Sequence, residues 1–266
     1  MIGNIRAVFL FEWQRALTWA RLIEWVAMAT FPIFIVGVIR YVAPMDVDSP
    51  DKELWRGLCA WLIFALIPML VSMLGTLLWT TPAISSELER RSWVYLAVRP
   101  NGTTAVLLGK YLAAITWVIP PSLIGLSVAV PLAGTGDDWR IWWAMARLVV
   151  LSCPAYAAVY LLLGVVMPRR AMVLAVAYTL MFELIISFVP AVINKITVQY
   201  RLRSLAADWC QLSFSSGRES GVMALLGNES AWTHIGVLLS LTAVLLCLSV
   251  GILRYREFSA SAESDV

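Results

Sequence analysis

Charge is scarce in this sequence. Only 14% of its 266 residues are Asp, Glu, Lys or Arg, where a water-soluble domain carries about 25%. With 61% hydrophobic residues, too little polar surface remains to cover a water-facing fold, and a soluble globular protein is excluded. A disordered chain is excluded too, because disorder needs low hydrophobicity and high charge. Histidine is rarer still: His234 stands alone, and one histidine cannot build a zinc protease site, which needs two or three ligands at fixed spacing. The four cysteines, Cys59, Cys153, Cys210 and Cys247, form no CxxC pair, so neither a disulfide framework nor a zinc site is suggested. There is no GxSxG elbow for a serine hydrolase. Gly102…Gly109-Lys110-Tyr111 departs from a phosphate loop, which has four residues between its glycines and Ser or Thr after the lysine. A net charge of +3 does not mark a nucleic-acid binder, and no nucleic-acid partner is expected. No removable signal peptide is expected either, since the first long apolar run begins only at Leu22.

What is present is length and grease. A hydrocarbon layer about 30 Å thick is crossed by roughly 20 apolar residues in a helix. Six such stretches are predicted: Leu22–Ala43, Gly57–Thr81, Thr103–Pro131, Ile141–Val166, Ala171–Ile193 and Trp232–Leu253. The expected fold is therefore all-α and polytopic, one transmembrane domain over 1–266. Pro32, Pro68, Pro120, Pro121, Pro154 and Pro190 fall inside these stretches, where membrane helices tolerate them, as packing kinks or as a gating hinge. Tryptophans Trp25, Trp55, Trp61, Trp79, Trp139, Trp142, Trp143 and Trp232 sit near span ends, as in an interfacial aromatic belt, whereas mid-span Trp117 reads as packing. Lysine and arginine in the short loops give the orientation. Arg6, Arg15, Arg21, Arg90, Arg91, Arg99, Lys110, Arg169, Arg170, Arg254 and Arg256 lie on one side, while the loops on the other side are acidic. The positive-inside rule then puts both termini in the cytoplasm.

Three segments stand outside the spans. In 1–21, Ile5, Phe9, Trp13, Ala16 and Ala20 recur at helical spacing opposite Asn4 and Arg15, which predicts an amphipathic helix in the inner interface. In 82–102, Ser86-Glu87-Leu88-Glu89 is a capping-box pattern, with the serine capping a helix start and Glu89 reaching back. Glu87 is placed to pair with Arg90 or Arg91. The helix continues through Trp93 and Tyr95 until Arg99-Pro100-Asn101-Gly102 stops it. A short helix thus faces the cytoplasm, either as a solvated connector or as a docking element for a soluble partner. The outer segment 194–231 mixes apolar and basic residues over Ile196–Leu212 and suits a re-entrant or interfacial helix.

Ionisable residues within spans need a partner or a wet cavity, since each costs about 2.5–3.5 kcal/mol at mid-bilayer on insertion scales. At 1.5 Å per residue, Glu183 and Arg147 fall at about 18 Å and about 21 Å from the inner side of a 30 Å core. Their matching depth predicts an ion pair between consecutive spans, structural or on a substrate path. An intramembrane enzyme using Glu183 or His234 lacks a second catalytic partner. Met69 and Met73 are candidates for lining a greasy path, against ordinary helix packing as the plainer reading.

Ile84-Ser85-Ser86-Glu87-Leu88-Glu89-Arg90-Arg91-Ser92-Trp93, then Leu96-Ala97-Val98-Arg99-Pro100, then Leu108-Gly109-Lys110-Tyr111-Leu112, resembles the loop of ABC-2-type exporter permeases. That family places an acidic E-x-E segment after its second span, then a leucine-rich stretch ending in a basic or polar residue and proline, then a G-K pair opening the third span. The resemblance extends to the six-span layout, although Arg91-Ser92 stands where members often have Gly-Thr. It implies the membrane subunit of an ATP-binding-cassette exporter in a bacterial inner membrane, an assembly surrounded by membrane lipids. The permease would form its pathway with a second copy or a paralogue. ATP and Mg would sit on separate ATPase subunits, with no cofactor in this chain. Glu87, Glu89, Arg90, Arg91, Trp93 and Tyr95 would form the coupling helix, and the second and fifth spans would line the path. A non-transport scaffold or assembly factor recruiting another cytoplasmic protein is the alternative.

Overall fold

The computed structural model describes residues 2–42, 52–89, 102–185, 197–210 and 230–255, and every regular element among them is helical. Lipid cannot satisfy backbone N–H and C=O groups, so a chain this apolar has to close its hydrogen bonds within each segment. The elements are α1 Ile2–Ala16, α2 Trp19–Val42, α3 Lys52–Phe64, α4 Ser72–Thr80, α5 Ser85–Glu89, α6 Gly102–Ala133, α7 Asp138–Val166, α8 Ala171–Tyr178, α9 Val198–Cys210 and α10 Ala231–Tyr255. Five helical stretches are long and apolar enough to cross a membrane: Trp19–Val42, Trp55–Glu87, Gly102–Ala133, Asp138–Val166 and Ala231–Tyr255. These match five of the predicted spans and define an all-α, multi-pass membrane protein. The predicted stretch Ala171–Ile193 is helical through residue 185, and its remainder lies outside the described residues.

Two helices form the centre. Residues of α6 and α7 supply much of the main buried cluster, including Val118, Leu126, Met145, Leu148, Tyr156 and Tyr160. The edges are α2 and α10, where only 17% and 11% of the most apolar window is buried, against 67% in α7. Their outward faces carry large apolar side chains such as Phe34 and Leu239, as lipid contact requires. At one end Gly134 and Gly136 adopt φ of +63° and +76°, which turns α6 tightly into α7. An Arg56–Asp137 ion pair at 3.7 Å ties the start of the second span to that turn.

Among the described residues, the prolines break no span. Pro32, Pro120, Pro121, Pro131 and Pro154 lie inside continuous helices. The carbonyl of Pro154 accepts a hydrogen bond from the Tyr111 hydroxyl at 3.1 Å. Pro68 instead sits in a seven-residue π-helical segment, Ala65–Val71, between α3 and α4. A second π segment, Thr179–Ile185, follows α8. Pro190 lies outside the described residues.

The N-terminal helix does more than lie in an interface. It ends at Ala16, and α2 begins at Trp19. Ile5, Val8, Phe9, Glu12, Trp13 and Ala16 make its sheltered stripe, and the Trp13 indole N–H donates to Thr116 Oγ1 on α6 at 2.9 Å. Ala20, expected on the same stripe, is exposed because the break at 17–18 resets the helical phase.

The segment α9 is the other departure from a simple bundle. Its residues Val198 through Ala206 are all buried, against α7 and α10. Gln199 meets Tyr156, while Trp209 lies beside Arg147, so α9 runs antiparallel to α7. At 1.5 Å per residue its first turn is level with a point about 27 Å along α7. Of the two readings for this segment, the structure selects a helix inserted deep between neighbours over a surface one.

Candidate functional site

The end of the bundle that carries α5 holds a buried charged junction. It begins with Gly109 on α6, where a Cβ would stand 2.7 Å from Val8 Cγ1 and 3.3 Å from the Ile5 carbonyl. Only glycine lets α1 lie this close to α6. The next residue, Lys110, then has its ammonium enclosed between α1, α6 and the start of α5. An ammonium has three N–H donors and no acceptor. Here they reach Glu87 Oε1 at 2.6 Å, the Ala83 carbonyl at 2.8 Å and Ser86 Oγ at 3.3 Å. Glu12 Oε1 lies 3.6 Å from the same nitrogen, and Arg15 stands 3.7 Å from that carboxylate oxygen. Lys110, Glu12 and Glu87 are each only 8% exposed. Two cations and two carboxylates therefore balance within one buried cluster, the condition under which buried charge is tolerable. A cavity of about 160 Å³ with mixed polar and apolar walls opens beside it, lined by Glu12, Arg15, Arg21, Glu24, Trp79 and Lys110 among others. Trp79 and Trp117 meet at 5.0 Å, and Trp13 reaches Trp117 at 5.4 Å, so aromatic packing holds the walls. Trp117 is thus a packing residue, and Trp79 belongs to the same cluster.

This geometry changes the role of Glu87. Its carboxylate is engaged by Lys110 and faces inward. Ser86 also differs from the capping-box expectation. The helix starts one residue earlier, at Ser85, and the Ser86 hydroxyl donates to the Ala83 carbonyl at 3.3 Å while accepting from Lys110. Arg90, Arg91, Trp93 and Tyr95 lie outside the described residues, as does the side chain of Glu89.

A second polar cluster sits deep in the bundle. Glu183, fully buried in the second π segment, accepts from the Tyr178 hydroxyl at 2.9 Å and from the backbone N–H of Gln199 at 3.0 Å. A carboxylate there satisfies orphan donors of the first turn of α9 and opposes the positive end of its dipole. Thr197 Oγ1 accepts from the Tyr200 N–H at 3.2 Å and completes the cap. The side chain of Gln199 accepts from the Tyr156 hydroxyl at 2.9 Å, and the Tyr160 and Thr179 hydroxyls bond at 2.7 Å. Arg201 donates to His234 Nδ1 at 3.1 Å, which binds α9 to α10.

The expected Arg147–Glu183 ion pair is not among the ion pairs of the described residues. Arg147 Nε donates to the Trp143 carbonyl at 3.1 Å, and its guanidinium lies 4.6 Å from the Trp209 ring centroid. The two residues differ in depth as well as in azimuth: Glu183 caps α9 level with Tyr156, about 14 Å along α7 from Arg147, and Arg147 is on the exposed face of α7 while Glu183 is buried. Met73 is packed in the core at 1% exposure, Met69 is half-buried, and neither lines the cavity beside Lys110.

In the sequence Lys110 figures as part of a motif and as one of the basic residues that set the orientation, and Glu12 carries no assignment. The available signal was a carboxylate at the centre of an otherwise apolar stripe, which calls for a buried cation. Compared with protein-family models and with curated proteins, the chain matches none.

Proposed function

We propose that this chain is the membrane-spanning permease subunit of an ATP-driven exporter of the ABC-2 type. In this reading it has six spans, with Ala171–Ile193 as the fifth, and both termini in the cytoplasm of a bacterial cell. It works as a dimer, with a second copy or a paralogue. ATP and Mg are held by separate ATPase subunits that dock on the loop beginning at α5.

The observation that carries the reading is the junction at Lys110. A helix that merely connected two spans would need no buried anchor. Here α5 is fastened through one ammonium to α6 and, through Glu12, to α1. A displacement imposed on α5 therefore reaches the third span and the N-terminal helix together. The π segments give the second support. They fall in the second span and in the segment assigned as the fifth, and such turns mark places where helices adjust for function. ATP then acts by differential binding: it favours one arrangement of the ATPase pair, and the docked loops shift the spans between inward and outward access.

The test is to look for an ABC ATPase in the reading frames beside this chain and to reconstitute the two together. The expected outcome is a stable complex on co-purification, lost on charge reversal at Glu89 without loss of membrane insertion. Failure of the wild-type chain to retain the ATPase would refute the reading.

A further inference from the structure

At the opposite end from Lys110 a groove of about 610 Å³ opens between α6, α7, α9 and α10. Its volume lies within the range of about 300–1,000 Å³ that holds a single small ligand. The walls are aliphatic and aromatic, with Trp142, Trp143, Trp209 and Trp232 among them, and the one charged side chain among the described residues is Arg147. Three observations bear on its occupant. First, Arg147 is nine residues into α7, about 14 Å below its start at 1.5 Å per residue, on an exposed face. A bare cation at that depth in a bilayer is costly and calls for an anion or a wet path. Second, the described residues of the four surrounding helices include two acids, Asp138 and Asp208, and neither forms an ion pair with Arg147. Third, the guanidinium is held in place. Its Nε is fixed on the Trp143 carbonyl at 3.1 Å, and its central carbon lies 4.6 Å from the Trp209 centroid. The terminal nitrogens, the part of the fork that grips phosphate oxygens, are not consumed by these contacts.

We propose that this groove binds an anionic phospholipid of the surrounding membrane, its phosphate on Arg147 and an acyl chain along the tryptophan wall. A single positive charge set in a greasy trough complements an amphiphile with one acidic head and apolar tails, and the membrane supplies that chemistry at high local concentration. The site is independent of the exporter reading and stands or falls separately.

The tryptophans provide the assay. Full-length protein purified in detergent is titrated with phosphatidylglycerol bearing brominated acyl chains, and in parallel with phosphatidylcholine bearing the same chains, while tryptophan quenching is followed. The anionic lipid is expected to half-saturate at a concentration lower by about fivefold or more, the advantage of a charge-assisted contact. R147Q should erase that preference, R147K should keep most of it, and R140Q, outside the groove, should leave it unchanged. V150W fills the trough without touching the charge and should reduce saturable quenching by both lipids, an arm that survives if R147Q does not fold. Equal binding of the two lipids by the wild type, or a preference retained in R147Q, would overturn the proposal. So would displacement by millimolar inorganic phosphate, which would mark a site for free anions. Absence of saturable quenching in the wild type would also overturn it, since the trough would then be covered by protein.

Discussion

At the scale of single residues the charged junction at Lys110 is held by the charges it buries. Lys110 serves two carboxylates, so the two sides of the junction are unequal. Replacing Glu87 by Gln leaves Glu12 beside the ammonium and an amide able to accept, and should cost about 1–2 kcal/mol. Replacing Lys110 by Met strands two carboxylates together in a buried site and should cost about 3–5 kcal/mol. Thermal unfolding of the purified variants checks this ordering, and equal midpoints would show that Glu87 and Glu12 do not depend on the same nitrogen. Much of this junction was open to inspection beforehand. The Gly109-Lys110 pair and the Ser86-Glu87 run were both visible as motifs. Which acid meets which base was not, because pairing depends on rotation about the helix axis as well as on depth. Arg147 and Glu183 illustrate the difference: counting residues from the expected span ends aligned them along the membrane normal, whereas Glu183 lies about 14 Å further along α7 and the two sit on different faces.

At the scale of elements, the long helices followed from apolar length alone, and their ends agree with the predicted stretches to within a few residues. The short ones did not. The stripe of α1 was legible through Ala16, and then a two-residue break shifted its register before Ala20. The insertion of α9 was only half legible, since a run mixing Arg201 and Arg203 with leucine and tyrosine suits a surface and an interior equally well. What decides it is Glu183, which lies more than a dozen residues earlier and caps the helix from another element. Removing that carboxylate should therefore free α9 as a unit. Cys210, at the end of α9, is 1% exposed. In a protein with Cys59, Cys153 and Cys247 replaced by serine, Cys210 should resist maleimide in the wild-type background and become reactive with Glu183→Ala. Unchanged protection would mean that packing against α7 and α10 suffices without the cap.

At the scale of the whole molecule, the two central helices are shielded and the two edge helices are greasy on their outer sides, the pattern of a bundle immersed in lipid. The orientation assigned to it rests on the distribution of arginine and lysine. A C-terminal fusion should therefore fluoresce with a cytoplasmic reporter and lack activity with a periplasmic phosphatase, and the reverse result would invert the proposed topology. The fastening of α1 to α6 has a consequence for how the chain is made. Glu12 leaves the ribosome about a hundred residues before Lys110, which at about 5–20 residues per second is a wait on the order of ten seconds. During that interval its carboxylate has Arg15 beside it but not the ammonium of Lys110, and the first hairpin must tolerate a half-partnered acid at the headgroup border. Birth of the third crossing is thus the event that locks the earliest part of the nascent chain, and a translational stall ahead of it would leave a product with an unfastened front end for quality control to recognise.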